Sequence, residues 1–402
     1  MMPEISLVSV LIVAAVAFVV PLILGLVPAL RVPSVVIEIV AGIVIGPAVL
    51  GLVEVDGPLR FMALIGLAFL LFLAGMEIDL GGLLRGGAIR SAGIGFVLSL
   101  AIAFGIASLL GVAGLIQAPL LVAIMLSATS LGIVVPVLAD AGQSRSPLGQ
   151  LIIAGSSVAD FGAVILLSLF FSGDSSSVGS TLLLIGAFVV LVAAIGIAIA
   201  EIEHLGWLSM ILRSLQDSSA QIRVRGALLF LIGFAVLAQL LGLEIILGAF
   251  IAGTVLRLVD KDGMMTHTLF RPKLEAVGFG VFIPFFFVTS GIQLDVGALL
   301  APGGAALASV PVFLFTLLLV RGLPAILYRP VIGTRGVLAA ALLQATSLPF
   351  IVAATGIGME LGILSPATGA ALVVAGLLSV VLFPVAALTL LRGDKRPSAQ
   401  QR

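Results

Sequence analysis

Cysteine is absent from the 402 residues, and histidine occurs only twice. The first absence excludes disulfides, thiol nucleophiles and thiolate metal sites. The second leaves no Ser-His-Asp triad or histidine metal cluster inside an apolar segment, because His204 and His267 both fall in polar stretches. Charge is scarce as well. Only 9% of residues are Asp, Glu, Lys or Arg, whereas a soluble domain needs about a quarter to cover its surface. Acidic and basic residues balance at 19 each, so nothing points to nucleic acid, and the inventory implies neither an enzyme nor a resident cofactor.

What is present is apolar length. Hydrophobic residues make up 61% of the chain, in recurring runs of roughly twenty, the length that crosses about 30 Å of hydrocarbon. The period-2 alternation of a membrane barrel strand is missing, so the spans are read as helices. The first run, from Ile5 to Leu30, has no basic leader and exceeds a signal-peptide core, so it counts as a span. The reading is an all-α polytopic membrane protein with about thirteen transmembrane helices. They fall at 5–30, 34–53, 58–80, 88–112, 117–139, 147–172, 180–202, 225–241, 243–259, 276–294, 304–328, 335–358 and 366–391.

The basic residues orient it. With the N-terminus outside, every Lys and Arg except Arg60 and Arg321 falls in a cytoplasmic loop or the cytoplasmic C-terminal tail. This is the bias that sets topology in short loops, and it predicts a multi-pass protein of the cell (inner) membrane with the lipid bilayer as its surroundings. The longest loop, 203–224, carries Trp207, Met210, Ile211 and Leu215 at helical spacing. It reads either as an amphipathic segment lying on the cytoplasmic interface or as a plain linker.

Two segments are copied within the chain. Phe69 to Leu83 (FLLFLAGMEIDLGGL) matches Phe285 to Leu299 (FFFVTSGIQLDVGAL), pairing Gly75 with Gly291 and Asp79 with Asp295. At nearly the same spacing, Ala128-Thr-Ser-Leu131 matches Ala345-Thr-Ser-Leu348. An odd number of spans separates the copies, so the second would enter the membrane from the opposite side. Inverted repeats of this kind suit alternating access. The expected organisation is a first six-helix repeat plus a linker helix over 1–202, the linker 203–224, a second six-helix repeat over 225–391 and a tail over 392–402.

Each copy of Ala-Thr-Ser-Leu sits mid-span with Gly and Pro nearby, Gly132 and Pro136 in one, Pro349 and Gly356 in the other. Such clusters mark helices that break and free carbonyls for a cation, although ordinary kinked packing uses the same residues. Thr129 and Ser130 belong to the first break; Thr346 and Ser347 belong to the second. Asp160 lies mid-span on the next helix, and a carboxylate in hydrocarbon marks an ion or proton path. One carboxylate holds a proton or a cation but not both, and competition between them is exchange. Ser156 lies one helical turn earlier, with Ser157 beside it, and offers a hydroxyl oxygen to a hard cation. Arg321 either snorkels to the interface or faces the interior, where it would balance helix ends or pair with Asp160 or Glu38.

Together these stretches resemble the monovalent cation/proton antiporter superfamily, in its second branch of NapA-type and KefC-type exchangers. The carriers are Val32-Pro-Ser, Ala41-Gly-Ile-Val-Ile-Gly-Pro47, Phe72-Leu-Ala-Gly-Met-Glu-Ile-Asp79, Ser127-Ala-Thr-Ser130, Ala159-Asp160 and Phe285-Phe-Phe-Val-Thr-Ser-Gly291. The resemblance implies a homodimer with broken crossing helices, whose core domain moves like an elevator against a dimerisation domain. It implies a cation site at Asp160, aided by Thr129 and Ser156, with Arg321 as the basic residue of the eleventh span. The chain departs from the two-aspartate members in having Ala159 before Asp160. That departure predicts a single titrating carboxylate and electroneutral one-for-one exchange of sodium, lithium or potassium for a proton. The rival readings are a sodium-coupled organic anion symporter on the same fold and a channel-like subunit.

Overall fold

The structure, a computed structural model, describes residues 7–26, 32–77, 88–171, 178–203, 221–259, 270–301 and 305–392. These residues are helical wherever they are regular. In chain order the helices are α1 (Val8–Leu26), α2 (Ser34–Ile45), α3 (Gly57–Glu77), α4 (Ala88–Val112), α5 (Pro119–Ser127), α6 (Leu131–Asp140), α7 (Pro147–Phe171), α8 (Val178–Glu203) and α9 (Ile222–Leu240). There follow α10 (Ile245–Val259), α11 (Phe270–Val277), a π turn (Gly278–Phe282), α12 (Ile283–Ile292), the short α13 (Val296–Leu299) and α14 (Ala305–Gly322). A 3-10 turn (Leu323–Tyr328) leads into α15 (Arg329–Gln344), α16 (Pro349–Glu360) and α17 (Pro366–Arg392).

Among the described residues, nine helices are long and apolar enough to cross a membrane, one of them being the composite stretch Ala306–Glu360. Three shorter apolar helices accompany them. Each of the thirteen expected stretches holds a described helix, but not always over its full length. The second, expected over 34–53, is helical only to Ile45 and then turns at Gly46-Pro47. Twelve residues make a rod of about 18 Å, shorter than the hydrocarbon layer. The division between the eighth and ninth stretches falls at Gly242, whose φ of 70° suits glycine and few other residues. Trp207 and its neighbours lie outside the described residues, as does Asp79.

The chain forms two compact units that interleave in sequence. The first comprises Met1–Leu26, Glu38–Leu80 and Val164–Gln293, and the second Val27–Ile37, Gly81–Ala163 and Leu294–Arg402. Both draw on each half of the chain. Large side chains such as Phe18, Leu183 and Leu240 stand exposed, each by 70% or more. On a soluble monomer that would be an aggregation surface; in lipid it is ordinary.

In the first unit α3 lies against α10, and α2 against α12, at contacts that only glycine permits. A Cβ on Gly75 would sit 2.1 Å from the Phe250 carbonyl oxygen, and one on Gly253 would sit 1.9 Å from that of Phe72. The second pair repeats the pattern: Gly291 against the Ile39 carbonyl and Gly42 against that of Val288, at 2.1 Å each. Small residues let membrane helices approach closely enough for backbone dispersion to hold them without a hydrophobic driving force. Gly75 and Gly291, the matched glycines of the duplicated segments, therefore make equivalent contacts.

The second unit holds both interrupted helices. Its core gathers Val134 and Leu138 of α6, Leu148 and Ile152 of α7, Tyr328, Leu343 of α15 and Ala387 of α17. Between α5 and α6 the chain becomes extended, Ala128 at φ −75°, ψ 158° and Ser130 at φ −92°, ψ 96°. Between α15 and α16 it breaks at 345–348, with Leu348 at φ −143°, ψ −58°. Both interruptions fall on the Ala-Thr-Ser-Leu copies.

Candidate functional site

A broken helix in an apolar interior leaves backbone groups that need partners, since each unsatisfied one is costly there. The second break is closed almost completely. The Ala341 carbonyl accepts from Ala345 N–H at 3.1 Å and that of Leu343 from Thr346 N–H at 3.2 Å. The Leu342 carbonyl takes the Thr346 hydroxyl at 3.2 Å. The Gln344 carbonyl takes its partner from the other break, the Thr129 hydroxyl at 2.7 Å. A further bond, Ser130 N–H to the Thr346 carbonyl at 2.9 Å, joins the two breaks backbone to backbone.

The first break completes itself with a carboxylate. Ser130 stands at the N-cap of α6 but makes no side-chain cap bond. Asp160, on α7, takes that place. One carboxylate oxygen accepts from the Thr129 N–H at 3.3 Å and the other from the Leu131 N–H at 3.2 Å. A carboxylate at a helix N-terminus is stabilised by the exposed N–H groups and the positive end of the helix dipole. Asp160 remains partly exposed, while Ala159 beside it is fully buried.

Arg321 at the end of α14 is only 2% exposed, so the snorkelling alternative is set aside. Its Nε donates to the Thr129 hydroxyl at 2.8 Å, Nη1 to Ser99 Oγ at 3.1 Å and Nη2 to the Gly155 carbonyl at 3.3 Å. A buried guanidinium is costly unless it is hydrogen-bonded, and three oxygens from three different elements give each of its nitrogens a partner. Thr129 is thereby the junction. Its hydroxyl accepts from Arg321 and donates to Gln344, and its N–H reaches Asp160.

The α7 motif Gly155-Ser-Ser-Val-Ala-Asp160 faces this junction. A Cβ at Gly155 would lie 2.5 Å from Gln344 Nε2 and 2.7 Å from the Tyr328 hydroxyl, so those side-chain ends would have to move to admit it. Those two groups are hydrogen-bonded to each other at 3.2 Å. Ser156, one turn before Asp160, is fully buried and its hydroxyl oxygen has no hydrogen-bond partner; the same holds for Ser347 in the second break. A buried hydroxyl oxygen without a partner is a ready ligand for a desolvated cation. Ser157 is buried on α7 as well.

The structure thus brings together Asp160, Thr129, Ser130, Ser156, Arg321, Thr346 and Ser347 in one unit. Glu38, buried on α2, is the first residue of its segment of the first unit, directly after the boundary at Ile37. The sequence reading missed Ser99, Gly155, Tyr328 and the role of Gln344. Tyr328 carried a signal in hindsight, being the one tyrosine of the chain and lying among apolar residues.

Two interrupted helices meet beside a carboxylate within a multi-pass helical membrane protein. The chain belongs to the sodium/hydrogen exchanger family, whose transmembrane model matches residues 14–392. Among curated relatives, YjbQ of Bacillus subtilis is 29% identical over the whole of this chain and 66% of its own length. The Na(+)/H(+)-K(+) antiporter GerN of Bacillus cereus is 30% identical over 65% of each chain. The chain spans about two thirds of the length of these relatives. Among solved structures, the sodium proton antiporter MjNhaP1 from Methanocaldococcus jannaschii shares the fold, with a TM-score of 0.67 at 18% identity over 96% of this chain and 98% of that one.

Proposed function

We propose that this chain exchanges a monovalent cation for a proton by alternating access, with Asp160 as the single group both ions share. The observation that carries the reading is the Asp160 carboxylate seated on the Thr129 and Leu131 N–H groups of the interrupted helix. It is held by backbone yet partly open, so a cation or a proton reaches its oxygens. Ser156 Oγ and Thr129 add neutral oxygens in the manner of a hard-cation site. Arg321 keeps a fixed positive charge at the junction when Asp160 is neutralised. With no second carboxylate at position 159, one proton replaces one cation and the cycle is electroneutral.

The wider reading is a thirteen-span protein of the cell membrane, N-terminus outside, built from two inverted repeats and working as a homodimer by an elevator motion. The equivalent glycine contacts of the two duplicated segments support the repeat. The division into two compact units supports a moving core and a stationary partner. Names of the relatives support sodium and potassium as cargo, GerN being named for both. Everted vesicles with a pH-sensitive dye test the proposal: adding sodium, lithium or potassium dequenches the dye if the chain exchanges them for protons. An unresponsive dye with all three cations overturns it.

A further inference from the structure

Ser379 lies on α17 and is fully buried. Its oxygen accepts the Ser347 N–H at 3.1 Å, and its O–H faces the Ser347 carbonyl at 3.1 Å and the Gly376 carbonyl at 2.7 Å. The one hydroxyl proton has its nearer acceptor in Gly376, so the bond that crosses to the second break is the one Ser379 accepts from the Ser347 N–H, with the Ser347 carbonyl beside it. α17 comes this close because residue 376 is glycine; a Cβ there would stand 3.0 Å from the Ser347 carbonyl oxygen.

The consequence runs along the backbone. Ser347 follows Thr346, whose carbonyl accepts the Ser130 N–H of the first break. Ser130 lies between the two N–H groups that hold Asp160. Fixing Ser347 fixes the Thr346 carbonyl, which fixes Ser130 and so the pair of donors that aim the carboxylate. Most other hydroxyls in these helices bond back to their own helix, as Thr316 does to Val312 and Thr254 to Phe250, and position nothing elsewhere. Ser379 also bonds back, to Gly376, but in addition accepts the Ser347 N–H of another element.

We propose that Ser379 is a positioning residue for the cation site, acting through Ser347, Thr346 and Ser130 on the donors to Asp160. This rests on the exchange reading above. The test is transport by the purified full chain in proteoliposomes, with protein content normalised and sodium and lithium titrated separately. Ser379→Ala is expected to raise the half-saturating cation concentration about five- to tenfold, with a smaller change in maximal rate. Ser379→Thr, which keeps the hydroxyl, restores most of it. Gly376→Ala presses on the same carbonyl from the same helix and is expected to raise half-saturation too.

A merely structural role would lower folded yield and maximal rate and leave half-saturation unmoved, and that result overturns the proposal. If Ser379→Ala does not fold, Gly376→Ala carries the test, and unchanged half-saturation there overturns it equally. Wild-type chain and Asp160→Asn run in parallel. Wild type without cation-driven proton flux, or Asp160→Asn with it, sinks the exchange reading itself and this inference with it. Normal controls with an unmoved Ser379→Ala sink only the inference.

Discussion

The Arg321 guanidinium reaches the Thr129 hydroxyl at 2.8 Å, joining the last turn of α14 to the break between α5 and α6. The contact links residues far apart in the sequence at the point where Thr129 also bonds Gln344 and Asp160. A permanent positive charge thereby stands one residue from the carboxylate that is expected to change its own charge in each cycle.

Asp160→Asn is expected to abolish exchange and leave the fold intact. An amide oxygen still accepts one of the two backbone N–H groups, so the N-terminus of α6 keeps one partner and loses the other, which would face the amide NH2. It loses the charge, worth about 1 kcal/mol at a helix end, which size-exclusion and thermal melting in detergent would register as a small shift. Cation-driven dequenching that persists in this variant would show that the ions bind elsewhere.

Ser156→Ala separates binding from stability. The hydroxyl oxygen has no partner in the resting structure, so its removal costs no hydrogen bond, and the melting temperature is expected to hold or rise. Half-saturating cation is expected to rise about tenfold, the equivalent of about 1.4 kcal/mol of lost coordination. A fall in stability with unchanged half-saturation would assign Ser156 to packing.

Arg321→Leu is expected to destabilise the protein strongly. Ser99, Thr129 and the Gly155 carbonyl each lose a donor in an apolar interior, at about 1–3 kcal/mol apiece. Arg321→Lys keeps the charge but cannot reach three oxygens on different elements with one ammonium. It should fold better than the leucine variant and transport more slowly than wild type. Melting temperature and initial rate, measured on both, check the order.

Gly155→Ala places a methyl group within 2.5 Å of Gln344 Nε2 and 2.7 Å of the Tyr328 hydroxyl. Overpacking of this kind costs about 1–3 kcal/mol. Because Gln344 also supplies the carbonyl that Thr129 uses, transport should fall further than stability alone explains. Melting temperature and initial transport rate, measured on the same preparation, check this.

Shared occupancy of one carboxylate fixes the sign of the pH effect. Lowering pH on the cation side should raise half-saturating cation without lowering the maximal rate at saturating cation. With one carboxylate per cycle, a membrane potential imposed with valinomycin should not drive cation uptake. Potential-driven uptake would require a second charge in the cycle.

Some of this was legible in the residues alone. Asp160 stood out because a carboxylate in an apolar run has few reasons to be there, and both breaks were marked by copied Ala-Thr-Ser-Leu with Gly and Pro alongside. Ser99 and Ser379 could not be singled out. A hydroxyl in a membrane helix usually bonds to its own preceding turn, as Thr316, Thr254 and Ser290 do here. Spacing does not distinguish it from one that crosses to another helix.

The sequence by itself determined the apolar solvent, the helical class and the interruptions, because hydropathy and backbone preference are local properties of consecutive residues. Only the tertiary structure decided which polar groups meet. In a low-dielectric interior each such group must find a partner. For Thr129 the partners are Gln344, Arg321 and Asp160, which come from separate helices and which no local pattern can pair.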